Sequence, residues 1–420
     1  MKIKDIKPLQ ILDSRGNPTI EVKVTTKSAV SSAAVPSGAS TGSYEAVELR
    51  DRKKEYLGKS VNKALSNVLK ISKHLVGKDV NKQRKLDELM LKLDGTNNKR
   101  KLGANAILGV SMACSRAGAA AHHMTLYNYL GALYNNNDFL LPIPFANVIN
   151  GGVHAGNELM FQEFMIVPVG AKSFSEATRM VSETYHILKD LISKSYGLEA
   201  TSVGDEGGFA PPVKTANEVL ELLSVAVKKA GHSKKIKFAI DVAASEFYDK
   251  KSKKYEVEKG RFLSSEELLR YLEALVMEFP IISIEDPFHE DDVESFSKMM
   301  KILGGKIQIV GDDLLVTNPV RIAKAISENW CNALLLKVNQ IGTITEAMEA
   351  AHMAQSVGWK VMVSHRSGET EDPYIADLAV GIASGQIKIG APCRGERTAK
   401  YNQLLRIEQE LGKLAKFAKF

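Results

Sequence analysis

The sequence predicts an α/β protein with a smaller N-terminal α+β domain over residues 1–136 and a C-terminal closed βα barrel over 137–420. Three observations carry this expectation. Strand-like segments followed by a block of helical patterns fill the first part, the order of an α+β domain. Six short apolar runs then alternate with helix-length amphipathic segments, the pattern of a parallel sheet covered by helices. Each run ends in charged or polar residues, as strands do when they open onto one mouth.

In the first part, ILDSRGNPTIEVKV reads as two strands around a turn. Gly16, Asn17 and Pro18 punctuate it, and Ile20, Val22 and Val24 alternate behind them. Helical patterns follow at about 60–76, 81–93 and 104–121. Asn135-Asn136-Asn137-Asp138, then Leu-Pro-Ile-Pro, marks the boundary. Beyond it the apolar runs are FAIDVA (238–243), IISIEDP (281–287), KIQIVGDD (306–313), NALLLKVN (332–339), WKVMVSHR (359–366) and GQIKIG (385–390). Ser264-x-x-Glu267 and Thr343-x-x-Glu346 are capping boxes, and Pro319 sits where a first helical turn accepts it. Gly358 and Gly385 fall where helices should stop. The polar ends of the runs, Asp241, Glu285, Asp312, Lys337, His365 and Lys388, are separated by 44, 27, 25, 28 and 23 residues. Four of these spacings fit one strand–loop–helix–loop unit; the long one contains a Lys-rich insertion at 246–263 that reads as a hairpin. Six or more such units favour closure into a barrel, which brings all six polar ends to one rim.

Composition narrows the function classes. Hydrophobic residues make up 44% and charged residues 25%, which argues against disorder. No apolar run is long enough to span a bilayer. The opening MKIKDIKPLQ lacks the apolar core of a secretory signal. Cys114, Cys331 and Cys393 form no C-x-x-C pair, so a disulfide framework or zinc site is not expected and a reducing cytoplasm fits best. The net charge of +7 suits a phosphorylated substrate, nucleic acid or mere solubility. No aromatic residues interleave the lysines at 250–254 in the manner of a single-strand binder.

The rim residues suggest chemistry. Asp241, Glu285 and Asp312 come from three successive strands, and three carboxylates so close repel one another unless a cation joins them. Oxygen-only ligands favour Mg²⁺ or Mn²⁺. Lys337 and Lys388 face them from the other side. A lysine near a metal ion and a second lysine should have a lowered pKa and can act as a neutral base, while its partner stabilises an anion. Schiff-base formation and plain ion pairing with the carboxylates are the alternatives. Arg366 and Ser367, in SHRSGET, make an anion pocket. Glu163 in FQEFM and Glu206 in GDEGGF are acids able to share a proton, and His154 in NGGVHAGN could join them. This inventory suits metal-assisted β-elimination of water, in which a proton leaves the carbon beside a carboxylate.

The stretches DSRGNPT (13–19), VPSGASTG (35–42), NVINGGVHAGN (147–157), QEFM (162–165), GDEGGFAP (204–211), DVAASEF (241–247), SIEDP (283–287), GDDL (311–314), LLLKVNQIG (334–342) and SHRSGETED (364–372) resemble the enolase family over nearly the whole chain. The resemblance implies a (β/α)8 barrel that opens ββαα before six βα units. It implies interconversion of 2-phospho-D-glycerate and phosphoenolpyruvate. Lys337 would be the base at C2 and Glu206 the acid for the C3 hydroxyl, with Glu163 and His154 supporting that end. Asp241, Glu285 and Asp312 would bind a first Mg²⁺, and Ser40, on a mobile loop, a second Mg²⁺ that arrives with substrate. Arg366 and Ser367 would bind the phosphate, Lys388 would stabilise the enolate, and His365 would lie nearby.

The family also implies a homo-oligomer, a dimer or an octamer, in the cytoplasm, with a second location at the cell surface left open. The chain closes on Lys419-Phe420 rather than on the terminal lysine linked to plasminogen binding in some members, so plasminogen is not an expected partner, and without an aromatic ladder neither is nucleic acid. A secondary binding role for nucleic acid or a host protein is the alternative from another class. A relative acting on a non-phosphorylated acid sugar is the competing enzymatic reading. Arg366, Ser367 and the Ser40 loop argue against it, because without a phosphate they have no evident task.

Overall fold

The computed structural model describes residues 1–39, 41–52 and 54–420. Strands β1 (Asp5–Leu12), β2 (Pro18–Thr25) and β3 (Val30–Ala34) form an antiparallel sheet with β2 in the centre. Ile20, Val22 and Val24 alternate onto its buried face as their spacing predicts. Helices α1 (Asn62–Leu75), α2 (Gln83–Asp94), α3 (Ala104–Ala121) and α4 (Leu126–Tyr134) follow. The Ala-rich α3 is buried almost all round, and Cys114 within it is fully enclosed. Gly109 lets α3 lie close to β2: a Cβ there would sit 2.7 Å from a Val22 methyl.

The rest of the chain is built on a barrel. Strand β4 (Leu140–Leu141) precedes β5 (Ile143–Asn150) and β6 (Glu163–Val167), followed by α5 (Phe174–Tyr196) and α6 (Ala216–Lys229). Then come β7 (Lys237–Asp241), the short strands β8 (Tyr248–Asp249), β9 (Lys254–Glu258) and β10 (Arg261–Leu263), and α7 (Ser265–Glu278). The expected hairpin at 246–263 is thus a three-stranded sheet. The pattern continues with β11 (Ile281–Glu285), α8 (Val293–Leu303), β12 (Gln308–Gly311), α9 (Pro319–Glu328), β13 (Ala333–Leu336), the short α10 (Val338–Ile341) and α11 (Ile344–Ser356). It ends with β14 (Lys360–Ser364), α12 (Tyr374–Gly381), β15 (Gly385–Lys388), α13 (Gly395–Leu411) and β16 (Lys416–Phe417). Ser264 and Thr343 cap α7 and α11 as the sequence suggests.

The barrel closes in the order β11-β12-β13-β14-β15-β5-β6-β7. Neighbours run parallel except β6, which is antiparallel to both β5 and β7. The element order is therefore ββαα followed by six βα units. Reversal of β6 has a geometric effect. Glu163 at its start pairs with Asp241 at the end of β7, so β6 leaves the mouth and ends at the opposite face. The chain returns to the mouth through α5 and descends again through α6. Two extra connections, 151–162 and 197–215, consequently lie at the mouth.

Alternation along the strands fills the interior. Ile143, Phe145, Met165, Val167, Ala239, Val310, Ala333, Leu335 and Met362 form one apolar cluster inside the barrel. Above it Gln308 and Gln386 exchange hydrogen bonds at 3.0 and 2.9 Å. Two residues on from Ala239, Ser283, Val310, Leu335 and Gln386, the same inward face presents Asp241, Glu285, Asp312, Lys337 and Lys388.

The small sheet and the barrel are stitched together beside the mouth. The Ser37 amide donates to the Gly368 carbonyl at 2.7 Å and the Gly368 amide returns the bond at 2.8 Å. Arg116 of α3 grips both oxygens of Asp372 at 2.8 and 2.5 Å, and the Ala34 amide donates to the same carboxylate at 2.9 Å.

Candidate active site

The barrel mouth holds two buried ammonium groups among carboxylates. Lys388 Nζ lies 2.9 Å from Asp241 Oδ2, 3.0 Å from each Glu285 oxygen and 3.1 Å from Glu163 Oε2. Lys337 Nζ contacts Asp312 Oδ2 directly. Gln162 donates to Asp241 Oδ2 at 3.3 Å and Gln340 to Asp312 Oδ1 at 2.8 Å. Asp312 also stands with Asp286 and Asp313 in a group whose side-chain oxygens lie within 4.8 Å of one another. The donors of the predicted trio are all carboxylate oxygens on adjacent strands, a set that fits a hard divalent cation.

Burial pulls both lysines down, but the carboxylates outweigh it. Asp312 raises Lys337 above the ordinary lysine range, and Asp241, Glu163 and Glu285 raise Lys388 well above it. The lowered pKa expected for Lys337 presupposes a cation beside it; among the protein's own groups Asp312 holds it on the raised side. Spacing alone could not show that Asp312 would touch the lysine amine, and with protein groups alone both lysines are ion-paired.

Across the mouth lie the residues delivered by the two extra connections. His154 Nδ1 is 3.8 Å from Glu163 Oε1 and 3.7 Å from Glu206 Oε1. Glu206 accepts from Asn147 Nδ2 at 3.1 Å and faces His365 Nε2 at 3.2 Å. Burial and the neighbouring Glu206 charge push Glu163 well above the carboxylate range. Burial also acts upward on Glu206, but the His365 and His154 rings and donated hydrogen bonds hold it well below. The two acids are thus pushed in opposite directions, Glu163 upward and Glu206 downward. Burial lowers His154, and pushes His365 down to about 4.

Arg366 and Ser367 follow β14. Glu45 of the small domain meets the Arg366 guanidinium at 3.0 and 3.1 Å, and Asn339 Oδ1 accepts from it at 3.0 Å. Ser367 Oγ accepts from the Ala39 amide at 2.6 Å. Ser40 lies outside the described residues. His154, Glu163, Glu206, Lys337, His365, Arg366, Ser367 and Lys388 line one enclosed cavity with Gln162 and Ser364. A larger open depression, about 1010 Å³, adjoins it and shares His154.

Sequence reasoning missed Asn147, Gln162, Gln340, Glu45 and Arg397. Gln162 and Gln340 stand beside residues already singled out. Arg397, on α13, is fully buried and contacts His365, but carries no motif signal.

Comparison with known proteins agrees with this geometry. Residues 3–130 match the family model "Enolase, N-terminal domain", and 138–419 match "Enolase, C-terminal TIM barrel domain". The chain is 59% identical over 419 residues to the enolase of Methanocaldococcus jannaschii, covering 99% of this chain and 97% of that protein. It is 57% identical over 431 residues to the enolase of Solanum lycopersicum, with the same coverage. It is 59% identical over 409 residues to that of Thermococcus gammatolerans, covering 97% and 94%. With both family models matched in order across the chain and a barrel mouth lined by the motif residues, the chain belongs to the enolase family.

Proposed function

We propose that the chain catalyses the reversible dehydration of 2-phospho-D-glycerate to phosphoenolpyruvate, with Lys337 as base and the Glu163–Glu206 pair as acid. The observation that carries this reading is one cavity lined by Lys337, Lys388, Glu163, Glu206 and Arg366, with Asp312 against Lys337 and Asp241 and Glu285 against Lys388. Magnesium dependence comes with the family, and Asp241, Glu285 and Asp312 are the residues to hold the ion. When bound there, Mg²⁺ neutralises the charge that develops on the substrate carboxylate. A second ion arriving with substrate at Ser40 belongs to the same proposal.

Were Asp312 to hold the cation, its carboxylate would no longer be free to keep Lys337 charged. Lys337 takes the C2 proton as a neutral amine. Lys388, which would keep Glu163 as a partner when Asp241 and Glu285 hold the ion, supplies a fixed positive charge beside the enolate. Glu206, supplied from the shared proton of the pair, protonates the departing C3 hydroxyl. His154 orients this pair. Arg366 and Ser367 receive the phosphate, a role that requires Glu45 to yield the guanidinium or share it.

A homo-oligomer, dimer or octamer, in the cytoplasm is the assembly we infer. No described helix is long and apolar enough to cross a membrane. We place the domain boundary at 136/137, between the two matched family segments. The direct test mixes protein, Mg²⁺ and 2-phosphoglycerate and follows the ultraviolet absorbance of the unsaturated product. Product formation that needs the metal supports the reading, and turnover of only non-phosphorylated acids overturns it.

A further inference from the structure

Arg397 is enclosed at the start of α13, with none of its surface exposed. Its Nη1 lies 2.7 Å from His365 Nδ1 and donates to the Arg366 carbonyl at 2.6 Å. Its Nη2 donates to the Ser367 carbonyl at 2.6 Å and the Asp205 carbonyl at 3.0 Å. A guanidinium only donates hydrogen bonds, so Nδ1 of His365 must accept. The proton of a neutral imidazole then sits on Nε2, the nitrogen that faces Glu206 Oε2 at 3.2 Å.

We propose that Arg397 is a positioning residue that locks His365 in its Nε2–H tautomer, aimed at Glu206. The ring is neutral across the working range, since burial pushes its pKa down to about 4. The opposite tautomer would set an N–H against the guanidinium and a lone pair against the Glu206 carboxylate. Packing leaves the ring little room to escape this. A Cβ on Gly390 would lie 2.6 Å from the Glu206 carbonyl, 3.0 Å from Arg397 Cδ and 3.2 Å from His365 Cε1. The hydroxyl of Tyr401, one turn along α13, donates to the Gly390 carbonyl at 2.8 Å. Helix α13 therefore holds the histidine through Arg397 and the Gly390 backbone beside it through Tyr401. Asn147 donates to Glu206 Oε2 at 3.1 Å and the protonated Nε2 edge of His365 stands 3.2 Å from the same oxygen, which would leave the other oxygen for the substrate. This catalytic consequence rests on Glu206 as the proton donor at C3; the tautomer itself does not.

The test is nitrogen NMR of the full chain labelled with ¹⁵N-histidine, without substrate, near neutral pH. The His365 signals are assigned by their loss in His365→Gln. A bare Nδ1 and a protonated Nε2 are expected. Arg397→Lys should break the single tautomer and lower kcat by about ten- to a hundred-fold, the usual range for an outer-shell partner. In the His365→Gln background the same change should cost little more, because both act through one ring. The proposal is overturned by a wild-type ring protonated on Nδ1 or on both nitrogens, by an unchanged tautomer in Arg397→Lys, or by losses that multiply. If Arg397→Lys does not fold, the wild-type spectrum decides alone. Failure of the Glu206 assignment would look different: Glu206→Gln would keep turnover while the wild-type spectrum stayed as expected.

Discussion

At the scale of single residues, Lys337 and Lys388 are the same side chain in one cavity, yet their neighbours divide their work. Lys388 meets three carboxylates and Lys337 meets only Asp312. A cation held by Asp241, Glu285 and Asp312 would take the one carboxylate that Lys337 touches, whereas Lys388 would keep Glu163 beside it. Lys337→Ala should therefore cut exchange of the C2 hydrogen of 2-phosphoglycerate by at least about a hundred-fold, a typical loss for a general base. Mg²⁺-dependent ligand binding should survive in that variant. Deuterium exchange followed by NMR checks this, and normal exchange would remove Lys337 from the role. Asp312→Ala should weaken Mg²⁺ by at least about ten-fold in calorimetric titration, since even outer-shell losses cost that much. Asp241, Glu285, Asp312, Lys337 and Lys388 were legible in the sequence because strand alternation makes a polar residue after an apolar run conspicuous. Arg397 was not, because a charge on an amphipathic helix reads as solvent-facing unless its contacts are known.

At the scale of elements, three of the small-domain helices and the six regular strands were readable from periodicity, to within two or three residues, whereas α4 and β3 were not. Strands β5 and β6 were harder. Pro144, Asn147 and Asn150 interrupt the apolar pattern of β5, and β6 is five residues long. Only the family resemblance implied the pair. Contacts between helices were not readable. Asp87 of α2 is an example: it is fully buried and accepts from the Thr345 amide at 3.2 Å and hydroxyl at 2.6 Å, at the start of α11. Burial raises its pKa to about 6, so the folded chain favours the protonated acid. Its contribution is present below the unfolded value near 4 and is lost as pH rises through about 6. Asp87→Asn should therefore gain about 2–3 kcal/mol relative to wild type between pH ~4.5 and pH ~8. Thermal unfolding at the two values checks it, and a pH-independent difference would refute it. His365 titrates with the opposite sign but is common to both proteins and cancels.

At the scale of the whole molecule, the small domain completes the site. Glu45 meets Arg366, the Ala39 amide meets Ser367, and Arg116 with the Ala34 amide anchors Asp372 below the same loop. Asp372→Ala leaves that guanidinium and amide without their acceptor and should cost about 2–3 kcal/mol. A lower Tm, with kcat kept at temperatures where the protein is folded, is the expected result; an unchanged Tm would contradict it. The backward course of β6 has a wider consequence for how such a catalyst can be assembled or redesigned. Asp241, Glu285, Asp312, Lys337 and Lys388, on the proton-abstracting side, stand at ordinary βα termini, interchangeable in principle with any parallel barrel. The hydroxyl-expelling side exists only because one staves-and-hoops rule is broken at the start. Exchanging residues 143–229 for two conventional repeats would be expected to yield a half-catalyst, able to scramble hydrogen at carbon but unable to make water leave.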